Sequence, residues 1–209
     1  MDDFMRDHWE GVYGSYELDQ LGWYEETPTQ SLNLVSRCGL RREDAILDVG
    51  CGTSTFIDHL IQLGYTNLIA ADISQAALEK LRKRLGPAKA SHVRWIVDDI
   101  SQPAQIQELH DIALWHDRAV LHFLLEEKRI ETYFTTLKKV VRRGGYVIIA
   151  AFSLEGAKKC SGLDVRNYDQ NMLSERLGNE FKLLQSFNHT HHTPSGKPRP
   201  YVYTLFQRR

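Results

Sequence analysis

The sequence predicts an α/β fold, a mostly parallel sheet with helices on both faces, and three observations carry that prediction. Short apolar runs recur along the chain, amphipathic stretches of helical period separate them, and turn residues mark the joins. Alternation of this kind buries each strand on two faces and gives each helix one apolar stripe.

The elements follow in order. Ala45 to Val49 is the first apolar run, and Phe56, Ile57, Leu60 and Ile61 then recur at helical spacing until Gly64 ends the helix. Leu68 to Ala71 is the second strand. Ser74 is placed to cap a helix whose Ala77, Leu78, Leu81 and Leu85 form one stripe, stopped at Gly86 and Pro87. Val93 to Val97, Ile112 to Trp115 and Tyr146 to Phe152 supply three more strands, with amphipathic stretches around Gln102 to Leu109 and Ile130 to Val141 between them. Phe181 to His192 and Tyr201 to Gln207 then form a terminal hairpin across the turn-rich segment Thr193 to Pro198.

Composition narrows the class. A chain of 209 residues has the size of one ordinary domain. Lys+Arg 26 against Asp+Glu 27, with the basic residues scattered, gives a net charge of -1 and argues against a nucleic-acid partner. The apolar run Tyr146 to Phe152 is far short of the ~20 residues of a membrane helix. Cys38, Cys51 and Cys160 are odd in number and lack metal-ligand spacing, and no signal peptide precedes the first strand, so the expectation is a cytoplasmic protein, monomeric or weakly dimeric.

The chemistry begins at Ile46 to Thr55, ILDVGCGTST. Glycines 50 and 52, between a strand and a helix, let a ligand approach the backbone closely, which implies a nucleoside cofactor. Thr55 replaces the third glycine of the dinucleotide fingerprint, and Asp48 stands at the strand end, where a carboxylate suits a cation better than a pyrophosphate. Asp72 ends the second strand, from which a carboxylate can accept from two ribose hydroxyls. Asp98 and Asp99 end the third, with Asp99 and Ile100 placed for an adenine.

ILDVGCGTST, IAADIS and VDDI resemble the cofactor motifs of class I S-adenosylmethionine (SAM)-dependent methyltransferases, in order over roughly residues 8 to 152. That resemblance implies a three-layer Rossmann-like sandwich whose seven-stranded, mostly parallel sheet runs 3-2-1-4-5-7-6 with the last strand antiparallel. It implies SAM as cofactor, with Asp48 at the amino-acid part, Asp72 at the ribose, Asp99 and Ile100 at the adenine, and Gly50, Cys51, Gly52, Ser54 and Ile73 also in the cofactor-binding set. Trp115 and His116, after the fourth strand, are carried over to the methionine end. The expected organisation is a single methyltransferase domain over 1–209, with an entrance segment or lid at 1–40, a SAM-binding core at 41–152, and an acceptor loop and hairpin at 153–209.

The entrance segment is similar to that of small-molecule S-methyltransferases and of some protein lysine methyltransferases. It carries Trp9, Tyr13, Trp23 and Tyr24, aromatic faces that suit a desolvated sulfonium, so Trp9 and Trp23 join the cofactor set. Elongation-factor lysine methyltransferases usually show Leu-Asp-Lys-Gly after the fourth strand, where this chain reads Trp115-His116-Asp117-Arg118, with Asp117 and Arg118 expected to form a local ion pair. Candidate bases are His116, His122 and His189, with Tyr13 or Tyr24 as hydrogen-bonding orienters; His116, His189 and Tyr13 form the catalytic set. Lys158, Lys159, Cys160, Arg166 and Tyr168 could meet an anionic acceptor, ahead of a helix capped near Asp169. His189 and His191 share one strand face without the further ligands a structural zinc needs, so no metal is expected and His189 is placed over the acceptor pocket. The functional expectation is methyl transfer to a small molecule, a thiol or other soft nucleophile first. The alternative is a protein lysine N-methyltransferase.

Overall fold

The computed structural model describes residues 3–209, so Met1 and Asp2 of the entrance segment lie outside the described residues. In chain order the main elements are α1 (Asp3–Ser15), α2 (Thr29–Val35), β1 (Ile46–Val49), α3 (Phe56–Gln62), β2 (Leu68–Asp72), α4 (Gln75–Ala90), β3 (Val93–Val97) and β4 (Ile112–Arg118). There follow α5 (Glu127–Val140), β5 (Val141–Phe152), a small hairpin of β6 (Lys159–Cys160) and β7 (Leu163–Asp164), α6 (Gln170–Leu177), β8 (Phe181–His192) and β9 (Pro198–Arg208). Seven strands form one sheet in the order β3-β2-β1-β4-β5-β9-β8, parallel except for β9, which runs antiparallel to both neighbours. This is the sandwich and strand order that the motif resemblance implies.

The site lies where it does because β1 is central. All four of its residues are buried between β2 and β4, and the register sets Asp48 beside His116. One face of the sheet is covered by α5 and α6, which bury Ile130, Tyr133, Leu137 and Leu173 at helical spacing against Leu47, Trp115 and Phe206. The other is covered by α2, α3 and α4 through Leu34, Phe56, Leu60, Leu78 and Leu81. Asp169 caps α6 by accepting the Met172 N–H at 2.8 Å, and Ser74 caps α4 by accepting from Ala77. No helix among the described residues is long and apolar enough to cross a membrane.

Two elements differ from the sequence reading. Residues 102–109 hold only a single 3-10 turn at Ile106–Glu108, because the Asp98 carboxylate accepts the backbone N–H groups of Ala104, Gln105 and Ile106, which a helix would need differently placed. Strand β4 continues three residues past Trp115: His116, Asp117 and Arg118 are polar but pair with Ile148, Ile149 and Ala150 of β5.

The longer β4 corrects two assignments at once, since neighbours on a strand face opposite sides. Trp115 faces α5, fully buried, with its indole N–H donating to the Tyr133 hydroxyl at 3.1 Å, so its side chain belongs to the core and not to the cofactor set. Asp117 shares that face, accepting from Tyr133 at 2.7 Å and from the Val120 and Leu121 N–H groups, while Arg118 faces the opposite layer and the two form no local ion pair. Tyr133→Phe removes the only hydrogen-bond partner shown for the Trp115 N–H. It is expected to cost about 1–3 kcal/mol, read as a lower urea midpoint with an unchanged m-value.

Candidate active site

A cleft of about 290 Å³ opens at the carboxyl ends of β1, β2, β3 and β4. Its floor is the loop after β1. Gly50 and Gly52 take positive φ of 59° and 54°, and a Cβ at either would collide, with Val120 Cγ2 at the first and with the Tyr13 hydroxyl at the second. From the far side Arg84 of α4 ties the loop down, donating to the Thr53 and Ser54 carbonyls at 2.5 and 2.6 Å and pairing with Asp58.

Three carboxylates face this floor, each held differently. Asp48 is 2 % exposed; its Oδ1 meets His116 Nδ1 at 2.6 Å, and its Oδ2 has no partner among the described residues. His116 in turn meets Ser31 Oγ at 2.9 Å through Nε2 and stacks on Phe56, ring centroids 3.9 Å apart. With Asp48 ionised, Nδ1 carries the imidazole proton and Nε2 accepts the serine hydroxyl. Asp72 accepts the Gly52 N–H at 2.7 Å on one oxygen and the Ser74 N–H at 2.8 Å on the other. Burial raises its pKa to about 6 against the pull of those two bonds. Asp99 accepts both the N–H and the hydroxyl of Ser101 on Oδ1, beside Ile100 at the cleft wall.

The roof comes from the amino-terminal segment. Glu10 of α1 accepts the Gln75 N–H at 2.6 Å and the Ala76 N–H at 3.2 Å, seating α1 on the positive end of α4. That seating brings Trp9 and Tyr13 over the glycine loop, edge-on to Trp23 at 5.6 and 6.1 Å, with Phe123 5.0 Å from Trp9. Burial, then the nearby Asp72 and Cys51, push the Tyr13 phenol well above its ordinary pKa, so it stays protonated. Residues 22–26 are tied to the core at four points. The Gly22 carbonyl meets His191 Nε2 at 3.1 Å, the Trp23 carbonyl accepts from Arg118 Nη1 at 2.9 Å, the Glu25 carbonyl accepts from Thr55 at 2.9 Å, and the Glu26 carbonyl meets His59 at 3.2 Å.

Most of the residues chosen from sequence converge here: Trp9, Tyr13, Trp23, Asp48, Gly50, Cys51, Ser54, Asp72, Ile73, Asp99, Ile100 and His116 line the cleft, with Gly52 beneath Tyr13. His189 does not. It lies on the outermost strand, half-buried, with its ring 6.1 Å from Tyr203, and its same-face neighbour His191 is the one that reaches the roof. His122 is also off the cleft, between Phe123 and Phe152, and burial lowers its pKa to about 3. Of the acceptor-loop candidates only Cys160 lines the cleft, whereas Lys158 bonds Asn167 and Arg166 bonds Glu127. Ser31, Phe56, Glu25 and Arg118 were not singled out for the site by sequence, because they meet it only when α2, the roof and the extended β4 are folded together. No group of three or more His, Cys, Asp or Glu residues among those described could hold a metal ion.

Gly52→Ala should strain a left-handed position, by about 1–2 kcal/mol, and displace the Tyr13 hydroxyl. The expected readout is a lower melting temperature together with a changed tryptophan emission from the Trp9 and Trp23 pair.

Comparison with known proteins agrees with this geometry. Residues 46–145 match a family model described as a methyltransferase domain. The EEF1A lysine methyltransferase 2 of Danio rerio is 26% identical over 157 residues, covering 70% of this chain and 67% of that protein. Among solved structures, a SAM-dependent methyltransferase from Anabaena variabilis superposes with a TM-score of 0.78 at 17% identity, covering 99% of this chain and 94% of that one. The N-methyltransferase NodS from Bradyrhizobium japonicum, in complex with S-adenosyl-L-homocysteine (SAH), does so with a TM-score of 0.66 at 16% identity, covering 88% and 89%. Residues 46–145 thus match a methyltransferase domain, and the chain shares its fold with SAM-dependent methyltransferases of known structure.

Proposed function

We propose that this methyltransferase acts on a small molecule, with a thiol or other soft nucleophile as the first acceptor class, inside the cleft that the entrance segment partly covers above the glycine loop. The observation that carries the reading is the roof, whose aromatic rings and four ties to the core leave a partly covered, largely apolar cleft beside Asp48.

The residues present fit SAM. The unpartnered Oδ2 of Asp48 is a buried anionic acceptor in a residue that lines the cleft, suited to the methionine ammonium, and His116 with Ser31 holds that carboxylate in place. Asp72, fixed by two backbone N–H groups, keeps lone pairs for the ribose hydroxyls, and Asp99 with Ile100 faces the adenine position. Bound SAM supplies a methyl group on a sulfonium for in-line transfer. The chain's own work is alignment and exclusion of water. Trp9, Tyr13, Trp23 and Phe123 line the reacting space, and the protonated Tyr13 donates a hydrogen bond that orients the acceptor.

Proton removal is not provided for. Both nitrogens of His116 are engaged, so it is a positioning residue for Asp48; Glu25 is paired with Arg118 at 3.1 Å; and burial holds the Cys160 thiol up at about 11. An acceptor that is already nucleophilic near neutral pH fits such a site, and a thiolate is one.

One observation favours the lysine reading: the Danio rerio relative is named for a lysine methyltransferase. Aligned one residue later, His116-Asp117-Arg118-Ala119 keeps the acid and the cation of Leu-Asp-Lys-Gly, and Ala119 has a φ of 73°, the left-handed region that favours glycine.

Tritiated SAM given with cell extract split at a small-protein size cutoff separates the two. Label is expected in the low-mass fraction, and label in a protein band that disappears when one lysine of that band is mutated overturns the reading. Asp72→Ala is expected to weaken SAM binding by about 2–4 kcal/mol by calorimetry. Since ribose hydroxyls bond the ionised carboxylate, SAM affinity should fall as pH drops through the Asp72 value of about 6. Asp72→Asn, which cannot titrate, should flatten that profile.

A further inference from the structure

Arg118 holds a buried cation with one unused arm. Its side chain is 9 % exposed, Nε lies 3.1 Å from both the Glu25 carboxylate and the Tyr203 hydroxyl, Nη1 donates to the Trp23 carbonyl at 2.9 Å, and the guanidinium carbon sits 5.2 Å over the Tyr201 ring. Nη2 is buried and has no hydrogen-bond partner among the described residues, although Arg118 lines the cleft. A buried charged donor left unpaired is expensive, and few native groups tolerate it without a ligand or function to explain it. Nε and Nη1 are spent on holding the guanidinium under the roof. Nη2 is left over, in a residue that lines the cleft together with Trp23 and Cys160.

Its place in the sheet separates it from the cofactor floor. Arg118 stands two residues beyond His116 on β4, about 7 Å along the strand, and its register runs through Ala150 to Tyr203, away from β1 and Asp48. A planar guanidinium with a free N–H edge is matched to a carboxylate more closely than to any neutral group.

We propose that Arg118 Nη2 docks a carboxylate of the methyl acceptor, so that the substrate class is a small carboxylic acid bearing its nucleophile a few bonds away. This rests on the small-molecule reading above. The cofactor's methionine end carries the same chemistry, and the experiment separates the two sources.

Binding of 3-mercaptopropionate and of its uncharged amide, 3-mercaptopropionamide, is measured by calorimetry on the full chain saturated with SAH. At least a tenfold preference for the acid is expected in the wild type, retained in Glu25→Gln, which keeps Nη2, and lost in Glu25→Gln/Arg118→Gln, which removes the ion pair as a neutral unit. Equal binding of acid and amide by the wild type overturns the proposal whether or not the double variant folds. In the second arm, SAM and decarboxylated SAM are compared on the same proteins. If the double variant loses affinity for SAM alone, tenfold or more, the carboxylate belongs to the cofactor and the acceptor assignment is overturned. Failure of the small-molecule reading itself looks different: neither thiol binds the wild type, label from SAM goes to protein, and SAM binding is intact.

Discussion

A carboxylate buried in the middle of the sheet is the constraint around which the rest of this structure is arranged. Asp48 sits at the carboxyl end of β1 with strands on both sides, where an unpaired ion costs several kcal/mol of lost solvation. The fold meets that cost on one oxygen only. His116 comes from β4, Ser31 from α2 and Phe56 from α3, so a single carboxylate brings three other elements into register. The second oxygen has no partner among the described residues, and Asp48 lines the cleft. Asp72 repeats the logic with backbone donors: burial raises its pKa to about 6 against two backbone N–H bonds that pull it down. The floor is thus lined with acceptor oxygens held in place by the fold itself.

The roof obeys different physics. The helices α1 and α2 have 13 and 7 residues, lengths at which helices are marginal alone, and their order is borrowed from contacts with the core. Glu10 on the end of α4, the aromatic cluster of Trp9, Tyr13, Trp23 and Phe123, and the ties at residues 22–26 hold the segment without a single strand pairing. Elements held by side chains open more cheaply than sheet strands. Arg118 joins the two systems, since it grows from the central sheet and grips the roof.

The floor and the roof of the cleft are therefore built from different materials. The floor uses strand ends and tight turns, which backbone geometry fixes. The other side of the cleft uses side chains from the amino-terminal segment, β4, β9 and the β6–β7 hairpin, each free to vary while the sheet stays the same.

The sequence by itself determined the order of the seven sheet strands, the helices α3, α4 and α5 between them, and where the three acids and their glycine loop stand. Those features are local: apolar period, cap residues and strand-end positions act within a few residues of themselves, so Ser74 and Asp169 are legible as caps and Asp48, Asp72 and Asp99 as site residues. Only the tertiary structure decided which way β4 turned its side chains, because its last three residues are polar and gain strand conformation from pairing with β5. That one extension sent Trp115 into the core, engaged both His116 nitrogens, and parted Arg118 from Asp117 to place it beneath Glu25. His189 and His191 are equivalent by period, and what separates them is how far each lies along the edge strand from the roof. Partners such as Ser31 with His116, or Glu25 with Arg118, lie about 90 residues apart in the chain, and no local pattern records a contact that only folding makes.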